Sequence, residues 1–308
     1  MGLSARSGMA GTLALGVILV VLAVTMPGSG EGDGSPPPEG PYVALGDSYT
    51  SGPGIPEQTG RPAGCDRSDR NYPALVAAEL GLEAAEFRDM SCTGAKTTDL
   101  DAPQSTDDGT NPAQLSALGT ATRLVTLGIG GNDIGFSSML TTCVTAGVLH
   151  NAVGDLTDTS GGAPCEQRYE DDETARKIST AGDRVSRALA EVKRRAPQAD
   201  VYVVGYPAIL PPAADAASCA GAIPLAAGDV AFLGETERQL NDALRQAARA
   251  VEATYVDTYT PSVDRDACSP AHTRWIEPLD PAGPVAAVHP NERGERGMAG
   301  AVLKALGG

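Results

Sequence analysis

The chain has 308 residues, 39 of them acidic against 23 basic, for a formal charge of −16. Such a surface repels phosphate backbones, which argues against nucleic-acid binding. The acidic runs Asp107-Asp108 and Glu170-Asp171-Asp172-Glu173 lack the spaced ligand loop of a calcium site and read as solvated loop and helix-start charge. Cys65, Cys92, Cys143, Cys165, Cys219 and Cys268 are an even number without a Cys-x-x-Cys spacing. They point to disulfides in an exported protein rather than to zinc or a redox pair, and leave the pairing open.

In chain order, Met9 to Met26 is almost unbroken apolar sequence behind Arg6, the pattern of a secretory signal. It falls just short of the roughly 20 residues of a membrane span, so an uncleaved anchor is the alternative. The expected organisation is a leader over 1–30, a Gly/Pro-rich linker over 31–40, and one domain over 41–308. Tyr42 to Gly46 reads as a buried strand running into Gly46-Asp47-Ser48, and Tyr72 to Leu80 as a short helix stopped at Gly81. A second strand is expected over Glu86 to Cys92 and a third over Thr122 to Gly130. Residues 172–195 carry helical spacing that ends before Pro197, and Val201 to Val204 is a further strand. Leu233, Leu240, Leu244, Ala247 and Val251 mark one face of a long helix, followed by a strand at Thr254 to Asp257 and a last helix over Asn291 to Leu306. Residues 137–170 and 207–228, rich in Gly, Ala, Pro and Cys, read as long decorated loops. Alternating strands and helices predict an α/β fold, a mainly parallel sheet between two helical layers.

In such sheets ligands gather beyond the carboxyl ends of the strands. Ser48 sits there, although Gly-Asp-Ser is also ordinary turn chemistry. A hydroxyl nucleophile needs a base and donors for an oxyanion. Of three histidines, His150 and His272 lie in loop-like surroundings, whereas His289 stands just before the last helix, in a loop that reaches the same edge. Gly130-Gly131-Asn132-Asp133 follows the clearest strand, and an asparagine amide there can donate to an oxyanion. Cys92-Thr93-Gly94 follows the second strand, where the Gly94 N–H is a further candidate donor.

Gly46-Asp47-Ser48-Tyr49, Gly94, Gly130-Gly131-Asn132-Asp133 and His289-Pro290-Asn291 together resemble the four blocks of the SGNH (GDSL) hydrolase superfamily, in order and across nearly all of the domain. The cysteine-rich layout resembles the secreted actinobacterial lipases and esterases of that group. The resemblance implies a three-layer α/β/α sandwich with a five-stranded sheet of flavodoxin-like order. It implies Ser48 as nucleophile, His289 as base, and an oxyanion hole of the Ser48 and Gly94 N–H groups with the Asn132 amide. It also implies the pairs Cys65 with Cys92, Cys143 with Cys165, and Cys219 with Cys268. Many members carry an aspartate three residues before the histidine, where this chain has Ala286. The Ala286 carbonyl is therefore the expected orienting group, with Asp280 the nearest carboxylate upstream.

The expected activity is exported carboxylic ester hydrolysis without cofactor or metal. An acyltransferase or carbohydrate deacetylase on the same scaffold is the alternative within enzymes, and an inactive glycan- or lipid-binding module the alternative outside them. One Trp and three Phe disfavour an aromatic-lined sugar cleft. The partner is expected to be an ester or lipid substrate, met by a monomer in transient contact with a lipid interface.

Overall fold

The computed structural model describes residues 41–157, 162–169 and 171–307. The leader and linker expected over 1–40 lie outside the described residues. Five strands form a parallel sheet: β1 (Tyr42–Gly46), β2 (Phe87–Asp89), β3 (Leu124–Gly128), β4 (Asp200–Val204) and β5 (Thr254–Val256), in the order β2-β1-β3-β4-β5. This is the flavodoxin-like order, whose switch point lies beside β1 and β3. The two strands run in register from Tyr42 opposite Leu124 to Gly46 opposite Gly128, so both chains leave the sheet at the same level.

Alternation along the strands feeds two cores. Val43, Leu45, Val125, Leu127, Val201 and Val203 pack under the helices Asp171–Arg195 and Ala227–Ala250. Tyr42, Ala44, Leu124, Tyr202 and Val204 face the helices Tyr72–Glu79 and Glu292–Ala305. In chain order these helices, with one more at Phe136–Thr157, are α1 (Tyr72–Glu79), α2 (Phe136–Thr157), α3 (Asp171–Arg195), α4 (Ala227–Ala250) and α5 (Glu292–Ala305). Full burial of a side chain such as Leu45 or Leu127 stabilises by about 1.5–3 kcal/mol relative to exposure, so the apolar strands fix the frame on which the loops are carried.

Two expectations are corrected. Residues 137–170 are not a long loop, because α2 occupies most of that stretch. Met139, Leu140, Cys143 and Ala146 form its buried face, and the hydroxyls of Thr141, Thr142 and Thr145 donate to carbonyls four residues back, satisfying groups that would otherwise favour a turn. The second strand is shorter than expected, pairing only over Phe87–Asp89 before Cys92 turns in to donate its N–H to Gly46 O at 3.0 Å. Residues 207–228 are indeed largely irregular, with one 3₁₀ segment at Ala213–Cys219.

The six cysteines form three disulfides, Cys65–Cys92, Cys143–Cys165 and Cys219–Cys268, and none is free. The last two lie in a third core of α2 and the loops, with Ile209, Leu225, Trp275, Ile276 and Val288. That core is built beyond the strand ends, under the loops where β1 and β3 discharge. Among the described residues no helix is long and apolar enough to cross a membrane.

Candidate active site

The end of β1 is held by a side chain that imitates a strand. Past the Ala44–Asp89 pair Gly46 O still accepts from Cys92 N, and the Gln114 amide joins it, accepting from Gly46 N at 2.8 Å and donating to Gly46 O at 2.9 Å. Gly46 has to be glycine, since a Cβ there would meet Thr50 Oγ1 at 2.2 Å and the Gly128 carbonyl at 2.6 Å. The chain then turns into a single helical turn, Ser48–Ser51, capped by Asp47, whose Oδ1 accepts from Tyr49 N at 3.0 Å. Ser48 therefore opens the turn at the carboxyl edge of the sheet, 7% exposed.

Asp47 is buried, and burial pushes its carboxyl up to about 7 against the donors that hold it. The chief of these is Tyr206, whose hydroxyl donates to Asp47 Oδ2 at 2.5 Å while accepting from Gly131 N at 2.8 Å. Tyr206 is itself fixed by a two-way bond with Asn241 of α4. The serine turn and the Gly131–Ile134 turn after β3 are thus joined through one phenol. Asn132 opens outward from the second turn, with Nδ2 donating to Ala95 O at 3.0 Å. Asp133 points the other way and accepts from Thr97 N and Thr97 Oγ1 and from Arg184, tying down the loop after β2.

His289 reaches this edge from the loop before α5. Its Nε2 lies 2.9 Å from Ser48 Oγ and its Nδ1 2.8 Å from the Ala287 carbonyl oxygen. With Nδ1 donating to a carbonyl, Nε2 is left as the acceptor facing the serine hydroxyl. Burial holds the imidazole below its usual range of about 6.5, against the Ala287 carbonyl, which favours the charged form. The orienting carbonyl is Ala287, which corrects the expectation of Ala286. Val288 between Ala287 and His289 adopts a left-handed φ of +58°, and this kink brings the carbonyl two residues before the ring beneath it. Ala286 instead donates its N–H to Pro53 O at 3.1 Å, fastening the His289 loop to the Ser48 loop. Gly54 sits at that seam with a φ of +76°, where a Cβ would meet Pro284 O at 2.0 Å. Asp280 is exposed and bonds neither nitrogen of the ring.

Tyr49 braces the same loop, since its hydroxyl donates to Val288 O at 2.6 Å and its ring lies 5.1 Å from that of His289. Ser48, Asn132 and His289 line one cavity of about 220 Å³, walled by Phe136 and Leu140 of α2, Ile209, Leu240 and Leu279. Gly94 has a left-handed φ of +76° and does not line this cavity; it lines a separate cleft with Thr93 and Gln104. Its neighbour Ala95 supplies the carbonyl that holds Asn132. Neither His150 nor His272 lines the cavity; His150 lies on α2 and His272 is exposed. Among the described residues no group of three or more His, Cys, Asp or Glu side chains is placed to hold a metal ion.

Sequence reasoning missed Tyr49, Tyr206, Gln114 and Glu237, the last an acid that also lines the cavity. A signal existed for Glu237, because it falls on the buried stripe of α4 between Leu233 and Leu240. For the others the buried contact appears only after the chain has folded.

The family model of the GDSL-like lipase/acylhydrolases matches residues 44–296, from within β1 into α5 and across all four blocks. The chain belongs to that family. It is a serine hydrolase of carboxylic esters. Lipase 2 of Streptomyces coelicolor is 44% identical over 270 residues, covering 86% of this chain and 85% of that protein. Among solved structures, phospholipase A1 from Streptomyces albidoflavus aligns with a TM-score of 0.65 at 27% identity, over 86% of this chain and 98% of its own. The extracellular lipase of Streptomyces rimosus aligns with a TM-score of 0.62 and the same identity and coverage. Family membership sets aside the reading of an inactive binding module.

Proposed function

We propose that this GDSL hydrolase cleaves acyl esters of lipids through a covalent acyl-enzyme on Ser48. The supporting observation is the dyad: Ser48 Oγ at 2.9 Å from His289 Nε2, with Nδ1 fixed on the Ala287 carbonyl. His289 takes the hydroxyl proton as Oγ attacks the ester carbonyl, and the oxyanion rests on the Ser48 and Gly94 N–H groups and the Asn132 amide. The imidazolium then protonates the leaving alcohol. Water, deprotonated by the same nitrogen, attacks the acyl-serine and releases the acid.

The apolar walls of the cavity suit an aliphatic arm of the substrate. The relatives are named as lipases and a phospholipase A1, which supports a lipid ester over a polar one. Export by the leader over 1–30, action as a monomer, and transient contact with a lipid surface complete the reading. The test is turnover of a medium-chain ester by purified variants. Ser48→Ala should lose about a thousandfold or more and Asn132→Ala about a hundredfold, both with unchanged circular dichroism. Near-normal turnover in folded Ser48→Ala would overturn the assignment.

A further inference from the structure

Glu237 is an acid on an otherwise apolar stripe. On α4 it follows Leu233 by one turn and precedes Leu240 and Leu244, all three buried, and it is itself only 2% exposed. One carboxyl oxygen, Oε2, accepts from Ile209 N at 3.2 Å. The other, Oε1, is buried and has no hydrogen-bond partner among the described residues. A leucine or methionine would fill such a position without leaving a polar atom unmatched, a defect that costs about 1–3 kcal/mol.

The location gives the side chain a use. Glu237 lines the cavity that also holds Ser48, Asn132 and His289, whose lining includes the apolar Phe136, Leu140, Ile209, Leu240 and Leu279 as well as the polar Thr141 and Tyr206. Among the described residues no cation forms an ion pair with it: the adjacent Arg238, whose charge favours the ionised form, bonds instead to Glu235 and Tyr259. Burial raises the carboxyl well above its ordinary range, and the nearby Asp266 adds to the effect. That shift favours the protonated form, in which one oxygen accepts from the backbone and the other carries an O–H to donate.

We infer that Glu237 is a specificity-determining residue, donating a hydrogen bond to a second oxygen on the substrate arm that enters the apolar part of the cavity. The inference rests on the ester-hydrolase reading and refines it. The preferred substrate is not a plain alkyl ester but one whose arm carries a further acceptor, a carbonyl or ether oxygen, at a set distance from the scissile bond. A site that hydrogen-bonds such an atom rejects the analogue lacking it more strongly than an apolar pocket distinguishes one methylene. The acceptor could lie on the acyl side, or on the alcohol side as the second ester of a diacyl lipid.

Two ester series distinguish these sources. One is nitrophenyl octanoate with its oxo-octanoate isomers, the ketone moved along the acyl chain. The other is a plain alkyl octanoate with vicinal diesters of matched length. For the wild-type protein, one series should show a maximum in kcat/KM, about tenfold over the plain ester, expressed mainly in KM. Glu237→Gln should keep that maximum, because an amide can still accept from Ile209 N and still carries an N–H donor. Glu237→Leu should flatten it. Flat profiles in both wild-type series, with the plain esters turned over well, would overturn the inference and leave the ester-hydrolase reading standing. Failure on every ester would instead strike that reading.

A maximum that survives Glu237→Leu would assign the preference to another group. If Glu237→Leu does not fold, infrared difference spectra decide with folded protein. The protonated-carboxyl C=O band, identified by its loss in Glu237→Gln, should shift when a saturating medium-chain ketone binds, and an unmoved band would overturn the inference.

Discussion

His289 has one nitrogen on Ser48 and the other on a peptide carbonyl, and the two partners differ in what they can do for it. A carboxylate in the place of the Ala287 carbonyl would hold the ring and also raise its pKa by attraction to the imidazolium. A carbonyl holds the ring but carries only a partial charge, so desolvation is left as the larger influence and lowers the pKa. The consequence for catalysis has a definite sign. In the proposed role of base His289 works when neutral, and a lowered pKa keeps it neutral to lower pH. The His289 protonation in the acid limb of kcat/KM should therefore have its midpoint below the ordinary 6.5, apart from any contribution of Asp47 at about 7. In the same experiment Asp280→Asn should leave both the midpoint and the neutral-pH rate within about twofold, as befits an exposed side chain away from the ring. A midpoint above 6.5 that persists in Asp47→Asn, or a collapse of the rate in Asp280→Asn with the fold intact, would mean that a carboxylate orients His289.

At the scale of elements, α2 connects the cavity to the disulfide framework. Phe136, Ser137, Leu140 and Thr141 line the cavity from one end of the helix, while Cys143, one turn farther along, is bonded to Cys165. The segment at Cys165 is also held from α4, where the Asp229 carboxylate accepts from Cys165 N and Glu166 N. Closing a loop of 22 residues is worth about 3 kcal/mol in the chain-entropy account. Replacing both cysteines by alanine should lower the Tm by several degrees and raise KM for long-chain esters more than it lowers kcat, because the wall loosens while Ser48 and His289 keep their own supports. A variant with unchanged KM and a reduced kcat would place α2 in the chemistry rather than in binding.

The strands were readable because buried parallel strands are continuous apolar runs, and the reactive loops were readable because each follows such a run through glycine. The helix α2 was not, since its Thr, Gly and Ser content resembles a loop until the threonine back-bonds are seen. The one-residue error at the orienting carbonyl has a similar origin. A left-handed valine is rare, and only the fold, with Val288 N donating to Glu277 O and Tyr49 donating to Val288 O, shows why Val288 adopts it. Tyr206 and Gln114 act across 159 and 68 residues of chain, distances at which local sequence pattern carries no information.

For the whole molecule, the charge of −16 bears on how an enzyme with an apolar cavity meets an aggregated lipid. Two forces compete at such a surface. Leu279, 40% exposed, stands at the cavity wall, and Val148 and Leu149 are exposed on α2, 52% and 64%, offering apolar contact. The acidic surface resists any membrane of the same sign, over a range set by the Debye length, about 10 Å at 0.1 M salt. On zwitterionic phospholipid vesicles the apolar contact meets little opposition, so hydrolysis should depend weakly on ionic strength. When a third of the lipid is made anionic, the rate at low salt should fall by about threefold or more and recover as salt is raised toward ~0.5 M, where the screening length drops below about 5 Å. Vesicle sedimentation run in parallel separates adsorption from chemistry: bound protein should follow the rate, while turnover of a soluble short-chain ester should stay constant across the salt series. If anionic lipid instead raised the rate, or if salt left the two kinds of vesicle unequal, a local basic patch or a specific headgroup contact would have to outweigh the net charge.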